Sequence, residues 1–143
     1  MLVKLAIAFL LLALTVIIHA AGLTILMRRL PVSKPMNDRF GPGVWLLVRI
    51  ASWAVGIHCV EITLWALFYW FQNCLPDIES SLYFAVVTYT TLGYGDLVLE
   101  KGWRILAGIE ALTGILMCGW TTGFFFGIAG RIYLPAPAST KLN

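Results

Sequence analysis

The sequence is poor in charge. Only 12% of its 143 residues are Asp, Glu, Lys or Arg, while 60% are hydrophobic. A soluble domain carries about 25% charged residues. This chain cannot cover itself with a water-facing surface, and lipid is the solvent that suits it. Other absences narrow the reading further. The net charge of +3 is modest, and no basic stripe interleaves with aromatics, which argues against nucleic acid as a partner. The three cysteines, Cys59, Cys74 and Cys118, form no CxxC pair and no metal-ligand spacing. Cys59 and Cys118 lie in apolar runs, where small buried hydrophobes are expected. Cys74 lies in a short polar connection, and pairing with a neighbouring subunit is the alternative there. No nucleophile–base pair or phosphate loop stands out, so neither an enzyme nor a cofactor is expected. No arginine repeat marks a voltage sensor.

What is present is a set of long apolar runs. Leu5 to Met27 carries no charge and at about 1.5 Å per residue can cross a hydrocarbon core of about 30 Å. The run is longer than the core of a secretory signal, and "HAAG" is a poor cleavage site, so residues 1–27 are read as an uncleaved helix stopped by Arg28 and Arg29. In the following "RRLPVSKPMNDRFGPG", Pro31, Pro35, Gly41, Pro42 and Gly43 read as helix breakers, giving a linker over 28–43. A second run covers 44–71, with Trp45 and "WALFYWF" suited to the two membrane interfaces. A third covers 103–130, and 131–143 is a tail.

Between the second and third runs lies "QNCLPDIESSLYFAVVTYTTLGYGDLVLEKGW". It is too polar to span and too hydrophobic for an ordinary loop. Pro76, Asp77, Glu79 and Ser80 read as a helix start, with acids on the positive end of the dipole. The helix predicted over 81–90 is too short to cross. The simplest solution is a re-entrant hairpin, in which a short helix enters and an extended segment returns.

Charge placement orients the chain. Arg28, Arg29, Lys34, Arg39 and Arg49 fall on one side of a three-span fold, together with Arg131 and Lys141. Lys4, Lys101 and Arg104 on the other side are offset by Asp77, Glu79, Asp96 and Glu100. The positive-inside rule puts the N-terminus outside a cell membrane and the C-terminus in the cytoplasm.

"TTLGYGD" at the end of the short helix raises the functional question. Non-helical backbone at membrane depth is tolerated only inside protein or along a watery path. Gly93 and Gly95 permit positive φ, and their alternation with Leu92 and Tyr94 lets successive carbonyls turn to one side while the larger side chains anchor in protein. The helix would also point its negative end at the membrane centre, where a cation could rest.

The motif resembles the T-V-G-Y-G-D selectivity filter of the potassium-channel pore-domain family, with Leu92 in place of Val. The resemblance covers roughly 44–130: outer helix 44–71, pore helix 81–90, filter 91–96 and inner helix 103–130. With the first apolar run added, which departs from the simplest two-helix pattern, the expectation is an all-α membrane protein with three transmembrane helices, a re-entrant pore helix and an extended filter. The resemblance implies K+ held by Thr91, Leu92, Gly93, Tyr94 and Gly95, with Asp96 at the outer mouth tying the filter to the pore helix. The glutamate that serves as partner in some members is replaced by Val87. One filter strand cannot surround an ion, so the resemblance also implies a homotetramer. The rival readings are a non-conducting membrane subunit that binds another channel or transporter, and a weakly selective cation channel.

Further candidates lie beside the motif. Gly114 occupies the place where the family often has a gating hinge, although the inner helix is rich in glycine and close helix packing is the other reading. Ile115, Cys118, Thr122 and Phe126 share one helix face, either a cavity lining or an ordinary buried stripe. His58, Glu61 and Glu110 are ionisable groups inside spans. They read either as a proton-sensitive or filter-supporting cluster or as a structural hydrogen-bond network.

Overall fold

The computed structural model describes residues 2–30 and 40–133. The described residues form four helices: α1 (Leu2–Arg29), α2 (Phe40–Phe71), α3 (Ile78–Tyr89) and α4 (Arg104–Tyr133). α1, α2 and α4 are long and apolar enough to cross a membrane, and α3 is not. The chain is thus an all-helical membrane protein with a short helix held between two of its spans. The expected linker residues Pro31, Lys34, Pro35 and Arg39, and the tail beyond Tyr133, lie outside the described residues.

Gly41, Pro42 and Gly43 do not break the chain as predicted. They form the opening of α2. The first turn of a helix has N–H groups without intrahelical partners, so the proline gives up nothing there. α3 begins at Ile78 rather than Ser81 because Asp77 caps it. Its carboxylate accepts from the Ser80 backbone N–H at 2.7 Å and from the Ser80 hydroxyl at 3.1 Å. The Ser80 backbone N–H, and then its hydroxyl, hold the Asp77 carboxyl below its ordinary range.

α1 docks through one stripe. Ala8, Leu11, Thr15, His19, Leu23 and Leu26 are buried and recur at steps of three and four, so they lie on one face. Phe9, Leu10, Ile17 and Met27 on the other faces are exposed. Polar bonds fasten the stripe along its length. Lys4 donates to the Gly102 carbonyl at 2.9 Å and sits 3.9 Å over the Trp103 ring. Trp65 donates to the Thr15 hydroxyl at 3.1 Å, and Trp53 donates to the Gly22 carbonyl at 3.0 Å. The start of α1 therefore shares an end of the bundle with the loop after the 91–96 segment. A small cluster of Leu26, Leu30 and Ile50, packed by Phe124, Phe125 and Ile128, closes the opposite end. The main core, centred on Trp65, Tyr69, Phe84 and Tyr89, lies behind α3.

Cys59 and Cys118 depart from expectation. Both are exposed, and Cys74 is half-buried. The apolar runs that hold them are wider than the faces a single chain covers.

Candidate functional site

α3 ends against the segment that follows it. The Val87 carbonyl accepts from the backbone N–H groups of Leu92 at 2.9 Å and Gly93 at 3.2 Å. This folds the chain back on itself at Thr90 and Thr91. From there φ alternates in sign. It is +60° at Thr91, +56° at Gly93 and +79° at Gly95, while Leu92 and Tyr94 are not positive. The left-handed conformation costs a non-glycine residue about 1 to 2 kcal/mol, and Thr91 bears that cost. A Cβ added at Gly93 or Gly95 would meet nothing within 4 Å. Torsion, not space, is what calls for glycine at these two positions.

Leu92 and Tyr94 are not anchored within the chain, contrary to expectation. They are 55% and 67% exposed, because one chain supplies a wall on only one side of the segment. Asp96 does find a partner on α3. Tyr83 donates its hydroxyl to the Asp96 carboxylate at 2.7 Å. That bond holds the Asp96 carboxyl below its ordinary range and pushes the Tyr83 hydroxyl up. A cavity of about 260 Å³ lies between the segment and α3, lined in part by Tyr83, Val87, Thr88, Gly93, Gly95 and Asp96. The Val87 side chain offers no polar group there, so the tie from α3 to Asp96 runs through Tyr83, four residues earlier on the same helix face.

On α4, Gly114 has a packing role. A Cβ there would lie 1.9 Å from the carbonyl oxygen of Tyr89. Only glycine lets α4 approach the last turn of α3. Ile115, Cys118, Thr122 and Phe126 are all exposed in the single chain, so they are not a buried stripe within it.

Behind α3 four helices converge on one carboxylate. Glu61 is fully buried. Its Oε1 lies 2.8 Å from His19 Nδ1 and its Oε2 lies 3.0 Å from His58 Nδ1. Tyr89 donates its hydroxyl to the same Oε2, and His58 Nδ1 is 3.2 Å from that hydroxyl. The Thr121 hydroxyl of α4 bridges the far sides of the two rings, 3.0 Å from His58 Nε2 and 3.2 Å from His19 Nε2. His19 also stacks near Trp120, with ring centres 5.2 Å apart. Ligand atoms of His19, His58 and Glu61 lie within 4.8 Å of one another, close enough for a metal ion. Both ring nitrogens of each histidine and both carboxylate oxygens already make hydrogen bonds, so a cation would have to displace protons to enter.

Glu110 does not join this cluster. It accepts from the Tyr69 hydroxyl at 2.6 Å through Oε2, and its Oε1 is buried without a partner among the described residues. His58 and Glu61 were expected to share a face and do. The sequence reading missed His19, Tyr89, Thr121 and Tyr83. His19 carried a usable signal, since it is the one ionisable side chain in the uncharged run of α1. The hydroxyl residues carried none, because buried tyrosines and threonines are common in membrane helices.

The model of a family described as Ion channel matches residues 44–130. No curated protein and no solved structure matches the chain. The match takes in α2 from Val44, all of α3, the 91–96 segment and α4 to Gly130, which is more than half of the chain. It leaves α1 outside. It agrees with the pore-domain resemblance carried by "TTLGYGD", and the chain belongs to this ion-channel family.

Proposed function

We propose that the chain forms a homotetrameric potassium channel, with Thr91 to Gly95 of each subunit lining the ion path. One observation carries this reading: φ alternates in sign over residues 91–95, within a "TTLGYGD" motif that follows a short helix between two spans. In a chain of uniform φ, successive carbonyls face opposite ways. Alternation brings them round to one side, where they can replace the water around a dehydrated cation. Four copies complete the ring. The exposure of Leu92 and Tyr94 supports this, since neighbouring subunits would supply the wall that one chain lacks. Ile115, Cys118, Thr122 and Phe126 then line the inner cavity, and Asp96 stands at the outer mouth. Gly114 is a packing residue in this reading, not a hinge.

The membrane orientation follows from charge. Arg28, Arg29 and Arg49 belong to the cytoplasmic side, and Asp77, Glu79 and Asp96 to the outside. The contact between Lys4 and Gly102 supports an N-terminus on the outer side. The test is planar-bilayer recording of purified protein under opposed potassium and sodium gradients. Current that reverses near the potassium equilibrium potential supports the proposal. Equal passage of both ions would favour a weakly selective cation channel, and absence of current would favour a non-conducting subunit.

A further inference from the structure

The contacts around Glu61 permit a count of protons. Five hydrogen bonds close the cluster: His19 Nδ1 to Glu61, His58 Nδ1 to Glu61, Tyr89 to Glu61, and Thr121 to each Nε2. The His58–Tyr89 contact shares a proton already counted. Each bond needs one hydrogen. An ionised carboxylate brings none, each neutral imidazole brings one, and the two hydroxyls bring one each. That makes four hydrogens for five bonds. The shortfall falls at Thr121, whose hydroxyl can donate to one ring but not to both. The second ring must donate to the threonine oxygen, and to do so it must carry a proton on both nitrogens.

Charge leads to the same number. With four hydrogens the cluster carries a lone negative charge on Glu61, which is fully buried among helices that span a membrane, and that is expensive. With five it is neutral. Among the described residues the titratable groups facing it are few. They are His19 on α1, His58 and Glu61 on α2, and Tyr89 on α3. On α4, Cys118 and Glu110 are near enough to act on Tyr89. Among the described residues no lysine or arginine is bonded to the cluster, which leaves a proton as the balancing positive charge.

We infer that His19, His58, Glu61 and Thr121 form a binding site for one proton, held as an imidazolium, that locks α1 to the pore domain behind α3. The proton rests on a ring in this arrangement; a proton on Glu61 would supply the same fifth hydrogen but leave two bare ring nitrogens. Loss of the proton leaves one Thr121 contact unmade and Glu61 uncompensated. The lost Thr121 contact loosens α4, whose Gly114 abuts the Tyr89 carbonyl two residues before Thr91. Conduction therefore falls as the site is emptied by rising pH. This last consequence rests on the channel reading, and the proton count does not.

The chain has only two histidines, so four ring nitrogens report on the whole site. Nitrogen NMR of the purified protein in lipid near pH 7 should show three protonated ring nitrogens and one bare nitrogen, becoming two and two at higher pH. Thr121→Val, which keeps the shape and removes the bridge but not the buried Glu61 charge, should reach the two-and-two pattern at a lower pH than the unsubstituted protein. Two bare nitrogens in the unsubstituted protein near pH 7, or none, would overturn the inference. So would a tightly held metal ion whose chelation changes the histidine signals. In bilayers, current through the unsubstituted channel should drop as pH rises through the same conversion, and Thr121→Val should shift that drop to lower pH. The three-to-one pattern in a protein that passes no current would uphold the site and defeat the channel reading.

Discussion

Behind α3, Glu61, His19, His58 and Tyr89 meet at hydrogen-bond distance, and all but His58 are almost fully buried. In front of it, Leu92 and Tyr94 are more than half exposed, and Gly93 and Gly95 have no neighbour where a Cβ would lie. The two faces of the same short helix are thus finished to different degrees. One chain completes the back and leaves the front open. Residues at the back should govern whether the subunit folds, and residues at the front should govern what the assembled protein does. Glycine makes the contrast sharp. At Gly114 it is required for space, and at Gly95 for torsion.

The largest expected effect is at the back. Gly114→Ala puts a methyl group 1.9 Å from a backbone oxygen that no rotamer change can move. It should destabilise the subunit by at least about 3 kcal/mol, the upper part of the range for overpacking. Recovery of folded protein from mild detergent and its thermal midpoint would measure this. Gly119→Ala and Gly123→Ala, with nothing within 4 Å, should leave the midpoint nearly unchanged. If all three behaved alike, the contrast between the faces would fail.

Glu61→Ala should come next. It strips the common acceptor from His19, His58 and Tyr89, and breaking a buried charged network costs about 3 kcal/mol. α1 should loosen first, because His19 belongs to it. Faster hydrogen exchange confined to the middle of α1 is the expected sign. Uniform protection would mean that apolar packing alone holds that helix.

Tyr83→Phe sharpens the comparison from the front. Asp96 has a carboxyl held below its ordinary range by this hydroxyl. The bond therefore contributes above the ordinary carboxylate value of about 3.9, and the contribution fades as pH falls through the lowered value. The unsubstituted channel should lose the tie only in strong acid on the side that Asp96 faces. Tyr83→Phe should lack it throughout, with open bursts shortened on the order of a few-fold and little further response to acid. The fold should be intact in both. Single-channel recording with pH varied on each side in turn reads this. Leu92→Val should have the smallest effect of all, because an apolar branched side chain is kept at a residue that does not need positive φ.

The spans were legible because uncharged runs of helical length have few alternatives in lipid. The start of α2 was misread because Pro42 was weighed as a breaker without regard to its place in a first turn. The motif at 91–96 was legible because two glycines at alternate positions have a torsional meaning that the structure repeats. The cluster around Glu61 was only half legible. His58 and Glu61 lie three residues apart and announce a shared face. His19 lies forty-two residues from Glu61, and only docking of α1 brings them together. Packing was already one reading of Gly114, and what stayed hidden was its partner, since Tyr89 lies on another helix.

The most direct test of the open front is the reversal potential of Gly95→Ala beside the unsubstituted protein, under opposed potassium and sodium gradients, with subunit assembly checked in parallel. Alanine opposes the +79° torsion at that position and meets no steric obstacle. The unsubstituted protein should reverse near the potassium equilibrium potential. Gly95→Ala should assemble normally and lose that preference, reversing near zero or passing no current. Unchanged potassium preference in Gly95→Ala would mean that the ion path lies elsewhere.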